Sequence, residues 1–63
     1  MIVNKKVKLN LIGVDGNAFT LMAKFSEAAK DSKWTDAETN TVLSEAISKD
    51  YNHLLKTISE HCE

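Results

Sequence analysis

The stretch Lys6-Val7-Lys8-Leu9-Asn10-Leu11 decides the predicted fold, because polar and apolar residues alternate strictly along it. Alternation with a period of two is typical of a β-strand with one buried face. The three apolar residues are predicted to face a core, and the three polar residues, Lys6, Lys8 and Asn10, to face water or a partner. The sequence therefore predicts an N-terminal strand over about residues 3–12.

After this stretch the apolar residues recur with the period of α-helices. Three helices are predicted, over about residues 17–31, 36–48 and 51–62, each with one apolar stripe. The stripes consist of Ala18, Leu21, Met22, Phe25, Ala28 and Ala29 in the first helix, Val42, Leu43, Ala46 and Ile47 in the second, and Tyr51, Leu54, Leu55, Ile58 and Cys62 in the third.

Two of the helix starts have capping signals. Thr35, followed three residues later by Glu38, has the pattern of a capping box. Asp50 is predicted to be the N-cap of the third helix. The preceding residues Ser48 and Lys49 include neither glycine nor proline, so one bent helix over the last two segments is an alternative.

A lone strand has unpaired backbone N–H and C=O groups on both edges. The rest of the chain has no second alternating segment, so we expect the strand to pair with its copy about a two-fold axis. The predicted class is α+β: one domain of residues 1–63, with one strand and two or three helices, assembled as a homo-oligomer, with a dimer favoured. The alternative is a hairpin within residues 1–14.

Composition excludes several classes of protein. The 63 residues are 43% hydrophobic and 27% charged, which is ordinary for a globular domain. Nine acids against eight lysines give a net charge of −1, which disfavours nucleic acid as the partner. No apolar run approaches the roughly 20 residues that span a bilayer. No signal-peptide pattern is seen at the start, so we expect a cytoplasmic protein without a membrane partner.

Two motifs carry a resemblance. Gly13–Phe19 reads GVDGNAF, and Asp50–Leu55 reads DYNHLL. The chain resembles, over nearly its whole length, a family of small proteins from bacteria and tailed phages with the patterns G-x-D-G-N-A-F and D-Y-x-H-L-L. The resemblance implies a phage or mobile-element origin, and so a host cytoplasm, but it implies no activity.

The same motifs contain candidate ligand-binding residues. Gly16 is predicted to take a left-handed conformation in a strand-to-helix turn, with Asp15 or Asn17 capping the next helix. In a functional interpretation, free amides at this helix start and Asn17 form a polar pocket together with Tyr51 and His53. An acidic Asp15 disfavours phosphate as the ligand.

Two aromatic residues are candidate partner contacts. Trp34 lies at a helix junction and is either a core residue, which we favour, or an exposed anchor of the kind enriched in interfaces. Phe19 lies off the apolar stripe of the first helix. We therefore expect it to join an oligomer or partner surface.

No residue pattern supports catalysis. The chain has no Gly-rich phosphate loop, no HExxH motif and no dependable nucleophile–base spacing. His61 and Cys62 are adjacent and point about 100° apart on a helix, so they do not form a metal site. We predict a non-enzymatic binding protein without cofactor or metal, an accessory factor of a phage or mobile element that acts on a host macromolecule.

Two other functions are alternatives. The order strand–helix–helix is similar to ribbon–helix–helix proteins, whose dimers place a ribbon in the DNA major groove. Lys6, Lys8 and Asn10 would then read bases, although Asp36 and Glu38 would repel phosphate at the second helix. The other alternative is an oligomer that binds or sequesters a small ligand at the polar pocket.

Overall fold

The computed structural model describes residues 2–63, which form three α-helices preceded by an N-terminal segment, residues 2–17. The helices are α1, Ala18–Asp31; α2, Asp36–Ala46; and α3, Tyr51–Glu60. No strand or sheet occurs in residues 2–63, so the described fold is all-α and the predicted α+β class is wrong. Met1, which the predicted domain includes, lies outside the described residues.

The N-terminal segment finds its backbone partners within its own chain. The Val7 N–H donates to the carbonyl oxygen of His61 at 2.8 Å, and the Glu63 N–H donates to the Val7 carbonyl at 3.0 Å. These bonds form an isolated parallel bridge between Val7 and Cys62 and extend no further. The predicted strand over residues 3–12 is therefore wrong, and so is the argument that its edges need a second copy of the chain.

The alternation of apolar and polar residues comes from packing against the helices and not from a strand. Val7 is fully buried, and Leu9 and Leu11 are half-buried, whereas the polar residues between them are exposed. The Leu9 N–H donates to the Val7 carbonyl at 3.1 Å, which closes a tight turn at Lys8, so the alternate burial comes from docking on the helices and not from a strand. No hairpin forms within residues 2–14 either.

The predicted N-caps of α2 and α3 are confirmed. Thr35 and Glu38 form a complete capping box, and the Asp50 carboxylate accepts the His53 N–H at 2.9 Å. Asp50 therefore begins a separate helix. Both α2 and α3 end two residues before the predicted positions. At the end of α2, the Ser48 hydroxyl donates to the Glu45 carbonyl and so helps to end the helix.

The left-handed conformation predicted for Gly16 is not observed. Gly13 has a φ of 83°, whereas Gly16 does not have a positive φ. At the end of α1, Lys33 has a φ of 63°. The Lys33 N–H donates to the Lys30 carbonyl and the Trp34 N–H to the Ala29 carbonyl, which is the bond pattern of a Schellman motif with lysine in the usual glycine position.

The core lies between the three helices and the N-terminal segment. Phe25, Trp34 and His61 meet edge to face at its centre, with ring centroids 5.5 to 6.5 Å apart. The other buried apolar residues are Val7, Leu21, Ala29, Val42, Ala46, Leu54 and Ile58. Each helix supplies part of its predicted stripe to this core.

Candidate functional site

An apolar groove of about 600 Å³ lies where the first turns of α1 and α3 meet the last turns of α2. Its floor includes the buried side chains of Ala46 and Leu54. Three large side chains on its lining are exposed: Phe19 at 79%, Ile47 at 61% and Tyr51 at 44%. The groove therefore gathers much of the apolar surface that the chain leaves in contact with water.

The ends of the helices explain why these side chains are exposed. Ile47 and Tyr51 belong to the predicted apolar stripes, yet Ile47 is the C-cap of α2 and Tyr51 is the first residue of α3. At these positions the stripes extend beyond the packed centre of the molecule. Phe19 lies off the stripe of α1, as the sequence indicated, and its side chain is exposed.

Tyr51 contributes its ring to the groove, while its hydroxyl is bound elsewhere. The hydroxyl donates to the carbonyl oxygen of Gly16, in the turn before α1. A side chain at Gly16 would crowd this contact, because its Cβ would lie 3.3 Å from the tyrosine oxygen. A partner that covers the ring therefore does not have to strip water from an unpaired hydroxyl.

The predicted polar pocket is not assembled. Only Tyr51 and Gly16 come together, and Asp15, Asn17 and His53 do not line the groove. The Asp15 carboxylate accepts the Asn17 N–H, and the Asn17 side chain caps α1 by accepting the Phe19 N–H. Both side chains therefore stabilise the turn.

His53 instead joins α3 to α2. Its Nε2 lies 2.7 Å from a carboxylate oxygen of Glu45. This hydrogen bond, together with one from Ser48, holds the pKa of Glu45 below its ordinary value of 4.5. Lys49, four residues after Glu45, lowers this pKa further by a weaker electrostatic effect.

Trp34 is a core residue and not an exposed anchor. Its side chain is 7% exposed and packs edge to face against Phe25 and His61. Of the two aromatic candidates for partner contact, only Phe19 is therefore available on the surface.

The candidate nucleic-acid residues do not form a ribbon. Lys6 and Lys8 line a polar hollow of about 340 Å³ together with Lys33, and two acids, Asp31 and Glu63, share it. The Asn10 side chain accepts the Ile12 N–H and so closes a turn. The mixed charge of this hollow gives no extended basic surface for phosphates.

His61 is an important residue that sequence reasoning missed. It is 1% exposed, and its Nδ1 lies 2.7 Å from the Thr57 carbonyl, so Nδ1 must donate. Its Nε2 accepts the Val3 N–H at 3.2 Å, which requires the neutral tautomer. His61 follows Leu54 by seven residues, so helical spacing was the signal that could have placed it on the buried face.

Residues 2–63 contain no group of three or more His, Cys, Asp or Glu side chains arranged to hold a metal ion. Burial raises the pKa of the Cys62 thiol, which reduces its nucleophilic fraction at neutral pH. Across the same residues, no helix has both the length and the apolar character needed to cross a bilayer.

No family model matches this chain, and comparisons with curated proteins and with solved structures also give no match. The similarity of Gly13–Phe19 and Asp50–Leu55 to small phage and bacterial proteins therefore stays a prediction from these motifs.

Proposed function

We propose that this chain is a small, non-enzymatic protein-binding protein whose groove takes an amphipathic helix of a partner protein. The observation that carries the proposal is the exposure of Phe19, Ile47 and Tyr51 around one apolar groove. Exposed apolar groups that are gathered in one place mark interaction surfaces, whereas scattered ones do not.

The walls of the groove favour a helix as the occupant. They are formed by α1, α2, α3 and the short connection between α2 and α3, and none of the lining residues belongs to a strand, so the groove offers no strand edge for β-strand addition. A helix brings its own backbone bonds and presents apolar anchors at i, i+3 or i+4, and i+7. The rim side chains are themselves exposed, so a small molecule would remain partly in water, whereas a helix would cover the rim.

The two motifs favour a biological setting for this activity. Their similarity to phage and bacterial proteins supports an accessory factor of a phage or mobile element that binds a host protein in the cytoplasm. A binding protein of 63 residues needs only one such surface, and the groove draws on all three helices to form it.

A displayed library of helical peptides tests the proposal. We expect selection on the purified protein to enrich peptides with apolar residues at helical spacing. Their dissociation constants should rise at least about fivefold with Phe19→Ala, because truncating a hot-spot residue of an interface costs more than about 1 kcal/mol. Ile12→Ala is the matched control, since Ile12 is 89% exposed and does not line the groove.

Two results would contradict the proposal. One is a selection that enriches no helical pattern. The other is a set of enriched peptides that bind Phe19→Ala and Ile12→Ala equally well, since these would use another surface. Backbone amide shifts on peptide addition locate the contact directly, and they should change most along the first turns of α1 and α3.

A further inference from the structure

The groove and the exposed ring of Phe19 lie on the same face of the molecule. Phe19 projects with 79% of its surface exposed and at the same time lines the groove. A surface that carries a projecting aromatic ring beside an apolar hollow is complementary to its own copy. In a two-fold arrangement, the Phe19 ring of each chain can enter the groove of the other.

The charges on the lining permit this arrangement. Lys49 and Asp50 are its only charged residues, and they have opposite signs. A single-sign rim would repel its copy, whereas a rim with one cation and one anion does not. The Asp50 carboxylate also accepts the His53 N–H, which holds it at the start of α3.

We infer that a second copy of this chain occupies the groove in the free protein, in a two-fold dimer where each Phe19 packs into the groove of the other copy. The inference concerns the regulation of the site proposed above and rests on that proposal, because a partner helix must then displace the second copy. This dimer differs from the ribbon predicted from the sequence, since it uses the helices and leaves the N-terminal segment outside the interface.

The size of the surface sets the expected strength. The groove is small beside a standard stable interface, which has about 20–30 residues on each side. We therefore expect a weak dimer, with a dissociation constant of about 10 to 100 μM. A dimer of this strength covers the apolar rim at high protein concentration, and a partner with a lower dissociation constant displaces the second copy.

Sedimentation equilibrium of the purified protein, from about 1 μM to about 1 mM, tests the inference. We expect the mean mass to rise from 7.0 kDa towards twice that value. Phe19→Ala should raise the dissociation constant at least about 25-fold, because every dimer loses the ring twice. Ile12→Ala should leave the dissociation constant within about threefold.

A mass of 7.0 kDa at every concentration overturns the inference, as does a dimer that Phe19→Ala and Ile12→Ala weaken equally. A second measurement needs no variant: amide shifts of the unsubstituted protein should change on dilution at Phe19, Ile47 and Tyr51. Shifts confined to the N-terminal segment would instead contradict it. The peptide selection is read separately. A monomer that still binds helical peptides contradicts only the dimer, whereas a Phe19-dependent dimer without helix binding contradicts the proposed function and the regulatory role inferred from it.

Discussion

At the scale of single residues, His61 links three parts of the molecule. Its ring packs edge to face with Phe25 and Trp34, its Nδ1 donates to the Thr57 carbonyl in the last turn of α3, and its Nε2 accepts the Val3 N–H. The neutral ring therefore gives a hydrogen-bond partner to two backbone groups, the Thr57 carbonyl and the Val3 N–H. A purely apolar ring in this place could fill the volume but could not form either bond.

His61→Phe should therefore destabilise the fold although it preserves an aromatic ring. We expect the free energy of unfolding to fall by about 2–3 kcal/mol, because two largely desolvated backbone groups lose their partners. Urea denaturation followed by Trp34 fluorescence measures this loss. Asn52→Ala, at an exposed position of α3, is the control, and an equal loss in both variants would contradict the account.

At the scale of elements, the C-terminus of α1 contains a strained residue. Lys33 has a φ of 63°, in the left-handed region that costs a residue with a Cβ about 1–2 kcal/mol. The conformation lets the Trp34 N–H bond the Ala29 carbonyl and directs Trp34 into the core. The position of the tryptophan thus depends on a backbone conformation that lysine does not favour.

Lys33→Gly should stabilise the protein by about 0.5–1 kcal/mol, because glycine enters the left-handed region without the Cβ penalty. Thermal unfolding followed by circular dichroism measures the gain. The matched control, Lys30→Gly, places glycine inside the last turn of α1 and should lower stability by about 1 kcal/mol. Loss of stability in both variants would mean that the Lys33 backbone is not strained as described.

The N-terminal segment behaves as part of the core, although it is neither helix nor strand. Val7 is fully buried, so Val7→Ala should lower the free energy of unfolding by about 2 kcal/mol through lost apolar burial and a residual cavity. Ile12→Ala, in the same segment but 89% exposed, should change it by less than about 0.5 kcal/mol. Chemical denaturation compares the two. Similar losses would indicate that the segment does not dock as described.

At the scale of the whole molecule, one ion pair and one hydrogen bond between side chains join separate parts of the fold. Lys5 of the N-terminal segment pairs with Glu38 of α2 at 2.8 Å, and His53 of α3 is hydrogen-bonded to Glu45 of α2 at 2.7 Å. The hydrogen bond from Lys5, with that from the Thr35 N–H, holds the pKa of Glu38 below 4.5. The hydrogen bond from His53 has the same effect on the pKa of Glu45.

Stability should therefore decrease on acidification. Because both carboxyl groups have a lower pKa in the folded than in the unfolded chain, the unfolded chain binds protons first as the pH falls. The contribution is fully present above pH 4.5, the ordinary value, and is lost as the pH falls through 4.5 to the folded pKa values. Urea midpoints between about pH 3 and pH 7 measure this dependence.

The double variant Glu38→Gln/Glu45→Gln should flatten the pH dependence below pH 5, because it removes both shifted carboxyl groups. Glu27→Gln removes an exposed carboxylate of α1 that has no ion pair among residues 2–63, and it should keep the slope of the unsubstituted protein. An unchanged slope in the double variant would contradict the assignment.

Helix starts were predictable because their signals are local. Thr35 and Asp50 cap helices through side-chain contacts within three residues, and such contacts follow from the order of residues alone. Phe19 was likewise expected on a partner surface because it lies off the stripe of its helix. Ile47 and Tyr51 were expected in the core, since periodicity does not show where a stripe passes beyond its neighbours.

The sequence by itself determined three helical segments, the N-caps of the second and third, and which face of residues 6–11 turns inward. Only the tertiary structure decided that the N-terminal segment docks beside His61 instead of forming a ribbon, and that three helix ends leave a groove. The physical reason is the separation along the chain over which each interaction acts. Capping and periodicity act over one or two helical turns, whereas the Val7–His61 bond joins residues from opposite ends of the chain, and residue order alone does not specify such a partner.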